Sequence, residues 1–271
     1  MELHVYLNGG RGGADGTAVP LSPGALVRSA ARAVEAGATH VHVHPRTPCG
    51  RESLSPRVVE PTVAALRALP GVPVGVTTGA WTEPDPALRL ERVRGWSALS
   101  ARPDFASVNW HEPGAEAVAG QLLALGIGVE AGIWSGTEGA ARFAASPLRS
   151  RVLRVLAEVT DTEPESAEES ARALLAELGT GHGRPVLLHG ENGGAWPVLR
   201  LAGRLGLATR IGLEDTLHLP DGEPAASNAE LVAEAVTLLR AAERDTGRGW
   251  PSGATRLPCG RREPAGPGTA R

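Results

Sequence analysis

Residues 21–46 read LSPGALVRSAARAVEAGATHVHVHPR, and this stretch decides the fold. Ser22 and Pro23 are typical of a helix start, and Gly37 is typical of a helix end. Between them, apolar residues recur with the spacing of an amphipathic helix. Residues 40–44 then alternate between histidine and valine, which predicts a strand with two different faces. The stretch therefore predicts a helix that leads into a strand.

The same alternation extends along the chain in both directions. Helical segments separate eight predicted strands, which are Leu3–Asn8, Thr39–His44, Val72–Thr78, Phe105–Trp110, Ile127–Ile133, Arg154–Thr160, Pro185–His189 and Ala208–Leu213. A last helix is predicted at Ser227–Arg244. Eight strands that are each followed by a helix predict an α/β protein with a (β/α)8 TIM barrel. A doubly wound sheet is the alternative, but the first turn, NGGRGG at residues 8–13, lacks the G-x-G-x-x-G pattern. We expect one barrel domain at residues 1–244 and a Gly-, Pro- and Arg-rich C-terminal extension at residues 245–271.

Composition excludes several classes of function. All 27 basic Lys and Arg residues in the 271-residue chain are arginines, so Schiff-base catalysis, covalent pyridoxal attachment and a Walker P-loop are excluded. The net charge of −3, with no basic block, argues against nucleic-acid binding. No apolar run is long enough to span a membrane. Two cysteines and an N-terminus without secretory features lead us to expect a cytoplasmic protein.

The second strand carries the clearest chemical pattern. His40, His42 and His44 are two residues apart, so they share one face of the strand. Imidazoles in a barrel interior need partners, and a divalent metal is the simplest common partner for the two nearest the carboxyl end. The alternative is a set of hydrogen-bonded core histidines.

The eighth strand offers a matching carboxylate. Glu214 ends the run that contains Arg210, and the two share a face. Because inward side chains of even-numbered strands meet in common layers, His42, His44 and Glu214 are predicted to bind one Zn²⁺ or a similar divalent metal. Two histidines and one carboxylate leave positions for substrate, as in catalytic sites.

The residue after this ligand is a candidate general base. Asp215 lies just beyond Glu214, and Arg210 is predicted to lower its pKa or to hold a carboxylate. The alternative for the two acidic residues is a capping or surface pair. Other polar residues near strand ends are candidate substrate contacts, with a structural role as the alternative for each: Arg11, Arg46, Thr78, Ser107, Asn109 and Glu130.

Several of these stretches together resemble one enzyme family. The run EAGATHVHVH at residues 35–44, TTG at 77–79, PDFASVN at 103–109 and RIGLED at 210–215 are similar, in order, to the β-keto acid cleavage enzyme family (BKACE). The resemblance implies a zinc-dependent barrel that reacts a β-keto acid with acetyl-CoA, giving acetoacetate and the CoA ester of the shortened acid. It also implies a homo-oligomer, usually a homotetramer.

The resemblance assigns roles to the same residues. It implies that His42, His44 and Glu214 bind zinc, that Asp215 is the general base and that Arg210 is its partner. Thr78 and Ser107 match positions where the family places hydroxyls on the substrate, and Glu130 matches a carboxylate on strand 5.

The chain departs from the family after strand 1. There it has Arg11, where the member that acts on 3-keto-5-aminohexanoate has an acidic residue facing the substrate's ammonium group. Arginine repels an ammonium group, so we expect a β-keto acid whose far end is neutral or anionic.

Two other functions compete with this interpretation. A metal-dependent hydrolase is the enzymatic alternative, because H-x-H also marks amidohydrolase-like barrels. Those barrels carry it on strand 1, with further histidines on strands 5 and 6. A non-catalytic ligand-binding member of the family is the non-enzymatic alternative.

Overall fold

Eight parallel strands close into a barrel in the order β1 to β8, with β8 paired to β1, so the predicted (β/α)8 TIM barrel is confirmed. The computed structural model describes residues 2–16 and 18–246. The strands are β1 (Leu3–Tyr6), β2 (His40–Val43), β3 (Val74–Thr77), β4 (Phe105–Asn109), β5 (Gly128–Trp134), β6 (Arg154–Val159), β7 (Val186–Gly190) and β8 (Ala208–Ile211). The helices are α1 (Pro23–Ala36), α2 (Pro56–Leu66), α3 (Pro86–Arg94), α4 (Ala115–Ala124), α5 (Gly139–Ala145), α6 (Ala167–Leu178), α7 (Ala195–Leu205) and α8 (Asn228–Thr246).

The unit formed by α1 and β2 follows the local chemistry of its sequence. The hydroxyl of Ser22 accepts a hydrogen bond from the backbone N–H of Ala25, which caps the helix. Gly37 ends the helix with φ at +124°, a conformation that disfavours residues with a side chain, and its N–H donates back to the carbonyl of Ala33. Val41 and Val43 are then fully buried between the barrel and its helices.

The barrel interior is lined with rings and charged groups because of the strand register. The register of β1 against β2 pairs His4 with His40 and Tyr6 with His42, and each pair of rings stacks with centroids 4.1 Å apart. On the other side of β1, Arg210 of β8 is the register partner of His4. The register of β1 against its two neighbouring strands therefore determines which inward polar groups meet in the barrel.

Six strands end one or two residues earlier than the sequence predicts, and for β2 and β8 the difference affects the candidate ligands. β2 ends at Val43 and β8 ends at Ile211, so His44 and Glu214 lie in the loops that follow at the carboxyl end of the barrel. We call this end the mouth and the opposite end the floor. α8 continues to Thr246, so the extension predicted from residue 245 begins inside that helix; residues 247–271 lie outside the described residues.

The length and the composition of a helix decide whether it can cross a membrane. Among residues 2–16 and 18–246, no helix combines the length and the apolar character that crossing a bilayer requires.

Candidate active site at the barrel mouth

The carboxyl ends of β2 and β8 bring three candidate metal ligands together. His42, His44 and Glu214 each offer one ligand atom, and these atoms all lie within 4.8 Å of one another. Both imidazoles are buried, and the side chain of Glu214 is 15% exposed. Nε2 of His44 lies 3.5 Å from Oε2 of Glu214. Because metal–ligand bonds are about 2 Å long, this spacing suits a single ion between the three groups.

A carboxylate fixes the ring of His44. Oε2 of Glu52 lies 2.7 Å from Nδ1 of His44 and also accepts the indole N–H of Trp81 at 2.9 Å. Burial alone raises the pKa of Glu52, but hydrogen bonds and charge from His44 outweigh burial, and the net pKa is lowered. With Nδ1 held by a carboxylate, Nε2 is the nitrogen left for a metal. Sequence reasoning missed Glu52 because it lies in the loop after β2, where no periodicity predicts its position.

Stacking, rather than hydrogen bonding, positions His42. Its ring lies against that of Tyr6 at an interplanar angle of 11°. Burial, followed by the charges of His44 and Arg210, holds the pKa of His42 well below its usual range. Within the described part of the chain, Nδ1 of His42 has no hydrogen-bond partner. A neutral buried imidazole is the form that binds a divalent ion.

Glu214 fits tightly against the loop after β1. Gly9, with φ at +50°, allows this approach, since a Cβ at that position would lie 2.4 Å from Cγ of Glu214. One carboxylate oxygen accepts from Arg210 at 3.3 Å, and the other, Oε2, accepts no hydrogen bond from any described residue. The burial of Glu214 raises its pKa, and the attraction of His44 and Arg210 only partly offsets this rise.

Asp215 and Arg210 form a buried ion pair beside these ligands. Oδ1 of Asp215 lies 2.9 Å from Nε and 2.8 Å from Nη2 of Arg210. The guanidinium also lies over the ring of Tyr6, 3.7 Å from its centroid, which restricts its orientation. Oδ2 of Asp215 is buried and, within the described residues, accepts no hydrogen bond. The carboxylate is therefore oriented through one oxygen while the other remains available for a proton.

His189, on β7, extends this network. Its Nδ1 lies 3.6 Å from Oδ1 of Asp215, and its Nε2 lies 3.4 Å from Oε2 of Glu158 at the end of β6. Burial and Arg210 both lower the pKa of His189, but the two carboxylates outweigh them and raise it. Sequence reasoning did not single out Glu158, although a period of two from Arg154 makes it the last inward residue of its strand.

Three of the predicted substrate contacts lie at the ends of β3 and β4. The hydroxyl of Thr78 donates to the carbonyl of Ser107 at 2.6 Å, and Nδ2 of Asn109 donates to Glu112 at 2.9 Å. Within the described residues, the hydroxyl of Ser107 makes no hydrogen bond. Ser107 is therefore the candidate in this group whose polar atom the protein leaves free.

The guanidinium of Arg46 holds the loops of the mouth together. It donates to the backbone carbonyls of Gly9, Arg11 and Gly50, each at 2.7 Å, and its side chain is 7% exposed. These bonds occupy both terminal nitrogens, so this position does not favour the substrate contact expected for Arg46.

Arg11 crosses from the loop after β1 to the loop after β7. It donates to Oδ1 of Asn192 at 2.8 Å and to the backbone carbonyl of Glu214 at 3.3 Å. The residue is half-buried at the mouth, as the sequence predicted, but two of its nitrogens already have partners within the protein.

Glu130 lies below the mouth, in the interior of the barrel. It is fully buried, accepts a hydrogen bond from the hydroxyl of Tyr6 at 2.7 Å and lies 2.8 Å from Nε of Arg154. Since Arg154 is the first residue of β6, this ion pair lies toward the floor. The position of Glu130 therefore favours a structural ion pair over the substrate contact expected from the sequence.

A second cluster with metal-like spacing lies at the floor. Glu2, His4 and His40 also offer ligand atoms within 4.8 Å of one another. Here, however, a guanidinium nitrogen of Arg154 lies 3.2 Å from Nε2 of His4. The floor cluster therefore already contains a cation.

The strand ends also bear on the hydrolase alternative. β5 ends at Trp134, and the last inward residue of β6 is Glu158. Neither position supplies the additional histidine that an amidohydrolase-like site requires.

Sequence comparison matches the chain to a family model described as beta-keto acid cleavage enzyme, over residues 3–162 and 152–247. A search of curated proteins found no match.

Solved structures resemble the fold at low sequence identity. A ternary complex of ObcA with a C4-CoA adduct and oxalate has a TM-score of 0.61 and 18% identity over 85% of this chain. The chain spans 65% of the length of that ObcA chain. A type I 3-dehydroquinate dehydratase from Clostridium difficile has a TM-score of 0.59 and 11% identity, covering 90% of this chain and 92% of its own. Mycobacterium tuberculosis tryptophan synthase has a TM-score of 0.51 and 19% identity, covering 88% and 92%. At these identities the likeness concerns the fold alone.

Proposed function

The chain belongs to the beta-keto acid cleavage enzyme family, and on that premise we propose that it exchanges acyl groups between a β-keto acid and acetyl-CoA. The acyl group of the β-keto acid moves to the sulfur of CoA, and the acetyl group takes its place on the carbon next to the carboxylate. The products are acetoacetate and the CoA ester of the shortened acid. The observation that carries this proposal is the convergence of His42, His44 and Glu214 beside the Asp215–Arg210 pair.

The donor set fits a divalent metal, for which we propose Zn²⁺. Two imidazoles and one carboxylate are ligands that zinc favours in catalytic sites, and the buried Nδ1 of His42 and Oε2 of Glu214 lack partners among the described residues. Glu52 fixes the ring of the third ligand, His44. When bound, such an ion supplies Lewis-acid polarisation of a substrate oxygen.

Asp215 is the group that moves the proton in this proposal. The exchange requires that one proton leave the carbon between the keto and carboxylate groups and that one return to it. Oδ2 of Asp215 has no partner within the described residues, while Arg210 holds Oδ1 and orients the carboxylate. A base that is buried and oriented in this way is suited to accept and return a proton at one carbon.

Polar side chains at the ends of β3 and β4 bind the substrate's oxygens in this proposal. Ser107 contributes a free hydroxyl, Thr78 retains the lone pairs of its hydroxyl, and Asn109 lies on the same face of β4 as Ser107. Arg46 hydrogen-bonds to backbone carbonyls, and Glu130 pairs with Tyr6 and Arg154. We therefore do not include Arg46 or Glu130 among the proposed substrate contacts.

A cavity beside the mouth suits the phosphate groups of acetyl-CoA. Its volume is about 650 Å³, within the usual range for small-molecule sites, and Leu213, next to Glu214, lines it. Two exposed arginines one helical turn apart on α1, Arg28 and Arg32, also line it. Guanidinium groups are well suited to bind phosphate, and the ObcA structure, which shares this fold, contains a CoA adduct.

The proposed function is tested by incubating purified, zinc-loaded protein with acetyl-CoA and a panel of β-keto acids. We expect acetoacetate and a new CoA ester to form in equal amounts. An Arg28→Ala/Arg32→Ala variant should raise the KM for acetyl-CoA and leave the metal content unchanged. Failure of every β-keto acid in the panel to give acetoacetate would refute the proposal.

A further inference from the structure

The candidate ligand Glu214 and the candidate base Asp215 lie in the loop after β8, and two neighbouring loops hold their backbone. The carbonyl of Glu214 accepts a hydrogen bond from Nε of Arg11, in the loop after β1, at 3.3 Å. The carbonyl of Asp215 accepts one from the backbone N–H of Asn192, in the loop after β7, at 2.6 Å. The main chain of both residues is therefore fixed from outside its own loop.

The two residues that hold this segment also bind each other. Nη2 of Arg11 donates to Oδ1 of Asn192 at 2.8 Å. A hydrogen bond from a charged donor is stronger than one between neutral groups. We call Arg11 and Asn192, with the hydrogen bond between them, the clamp. It joins the loops after β1 and β7 across the loop that carries Glu214 and Asp215.

The backbone of Asn192 has an unusual conformation. Among the described residues, Asn192 is the one non-glycine residue with a positive φ, at +48°. Such a conformation costs free energy for a residue with a side chain, although asparagine adopts it more readily than most. At Asn192 this conformation accompanies two bonds to other loops, one through the N–H and one through Oδ1. Strain of this kind is typical of residues that serve a functional site.

The β7 side of the clamp is anchored on the loop after β6. Glu191, which precedes Asn192, hydrogen-bonds through its side chain to Glu158. Burial and the charge of Glu158 raise the pKa of Glu191 to about 7, which favours the protonated form that can donate this bond. A Cβ at Gly194 would lie 2.3 Å from the carbonyl oxygen of Asp161, so the turn after Asn192 lies directly against that loop.

The β1 side of the clamp is anchored by Arg46. One guanidinium nitrogen of Arg46 donates to the backbone carbonyls of both Gly9 and Arg11 at 2.7 Å. Gly9 in turn lies directly against the side chain of Glu214. Both ends of the clamp are therefore fixed to neighbouring parts of the mouth.

We propose that Arg11 and Asn192 are positioning residues, which hold the backbone of Glu214 and Asp215 so that the carboxylate of Asp215 keeps a fixed place beside the candidate metal ligands. The inference rests on the proposed function and adds two residues to its machinery. Arg210 orients the carboxylate of Asp215 through Oδ1, and the clamp fixes the main chain from which that side chain extends. Since a displacement of about 1 Å can lower a rate about 100-fold, the clamp should govern turnover.

This role for Arg11 differs from the choice of substrate expected from the sequence, and the two roles predict different kinetics. A substrate contact predicts that Arg11→Met raises the KM for the β-keto acid, whether or not Asn192 is intact. The clamp predicts that kcat falls while KM changes little. It also predicts that the effects of changing Arg11 and Asn192 do not add, because the two residues act through one hydrogen bond.

The first experiment measures steady-state kinetics of zinc-loaded Arg11→Met, Asn192→Gly and the double variant. Glycine keeps the left-handed backbone of Asn192 and removes only its side chain. We expect each single variant to lower kcat about tenfold with KM within about twofold of the wild type, and the double variant to lose about tenfold and not 100-fold. The matched control is Arg184→Met, which removes an exposed guanidinium that donates to the carbonyl of Leu153 at 3.1 Å, and it should keep the wild-type kcat.

The second experiment measures the clamp without turnover, by amide hydrogen exchange and mass spectrometry. In Arg11→Met we expect peptides that cover residues 191–194 and 212–216 to exchange about tenfold faster than in the wild type. Peptides from α3 should exchange at the wild-type rate, which shows that the variant is folded. Arg184→Met should leave the exchange of both mouth peptides unchanged.

The outcomes separate the inference from the function beneath it. Losses of kcat that multiply in the double variant, or a raised KM with kcat unchanged, would overturn the clamp and leave the function intact. No acetoacetate from the wild-type protein would overturn the function. The exchange measurement still decides the inference in that case, since unchanged exchange of the mouth peptides in Arg11→Met would overturn the clamp as well.

Discussion

The mouth and the floor of the barrel carry the same kinds of candidate metal ligand, and the two ends differ in the charged groups that surround those ligands. Each end has two histidines and one glutamate whose ligand atoms lie within 4.8 Å: His42, His44 and Glu214 at the mouth, and His4, His40 and Glu2 at the floor. Each end also has an arginine–carboxylate pair with a separation of 2.8 Å, which is Arg210–Asp215 at the mouth and Arg154–Glu130 at the floor.

The position of the arginine distinguishes the two ends. At the floor, Arg154 lies 3.2 Å from Nε2 of His4, 3.4 Å from Glu2 and 2.8 Å from Glu130. Nε2 of His4, the ring nitrogen that lies 3.5 Å from the carboxylate of Glu2, therefore already faces a guanidinium group. Adding a divalent cation there would place two positive centres within a few ångströms of each other in a buried site.

At the mouth, Arg210 points its charge chiefly at Asp215 and lies over the ring of Tyr6. Nδ1 of His42 and Oε2 of Glu214 are left without hydrogen-bond partners among the described residues. We therefore expect the neighbouring cation, in addition to ligand type and spacing, to determine which end binds a metal.

The largest expected effect follows from removing the ligands at the mouth. His42→Ala/His44→Ala should reduce the bound metal from about one ion per chain to near zero and abolish turnover, because only Glu214 remains as a ligand. Elemental analysis of dialysed protein measures this. The floor variant His4→Gln/His40→Gln should keep the wild-type metal content, and loss of metal from it instead would contradict the comparison.

Asp215 is expected to matter for rate and not for metal binding. Asp215→Asn keeps the shape of the side chain but removes the base, so kcat should fall by about 10²–10⁴-fold with the metal retained. Steady-state kinetics and elemental analysis on the same preparation test both parts. Turnover at the wild-type rate would exclude Asp215 from the mechanism.

The corresponding pair at the floor is expected to affect stability. Arg154→Met leaves the carboxylate of Glu130 buried without its cation, which should lower the free energy of unfolding by about 3–5 kcal/mol. Urea unfolding measures the change, and Arg154→Met/Glu130→Gln should recover much of it. Arg142→Met, which breaks an exposed pair with Glu138, is the control and should cost about 0.5 kcal/mol or less. Equal losses in Arg154→Met and Arg142→Met would show that the floor pair is unimportant.

The sequence predicted the fold and the convergence at the mouth because both depend on periodicity. Alternation in β2 and the position of β8 are enough to bring His42 and Glu214 to one end of a closed barrel. The sequence did not predict Glu52 or Glu191, since each lies in a loop whose path depends on tertiary packing. Nor did it predict that Arg46 would bond to backbone carbonyls, because charge and chain position alone do not reveal a side chain's partners.

The smallest expected effect is the contribution of His40, at the floor, to the loss of folding stability at acid pH. Burial, together with the charges of His4 and Arg154, lowers the pKa of His40 from 6.5 to about 2 in the folded protein. Between these values the unfolded chain binds a proton that the folded protein does not, so stability rises with pH. The contribution of His40 is therefore fully present above pH 6.5 and is lost as the pH falls below it, by about 1.4 kcal/mol for each unit.

This loss can be isolated by difference. Urea unfolding at pH 7.5 and pH 5.5 should show a fall in stability for the wild type that is about 1 kcal/mol larger than for His40→Gln. The residues of the mouth are the same in both proteins, so the difference reports on the floor. His218→Gln, at an exposed histidine, controls for the loss of an imidazole. If His40→Gln loses as much stability as the wild type between the two pH values, His40 is not held neutral at the floor, and the proposed electrostatic contrast between the two ends fails there.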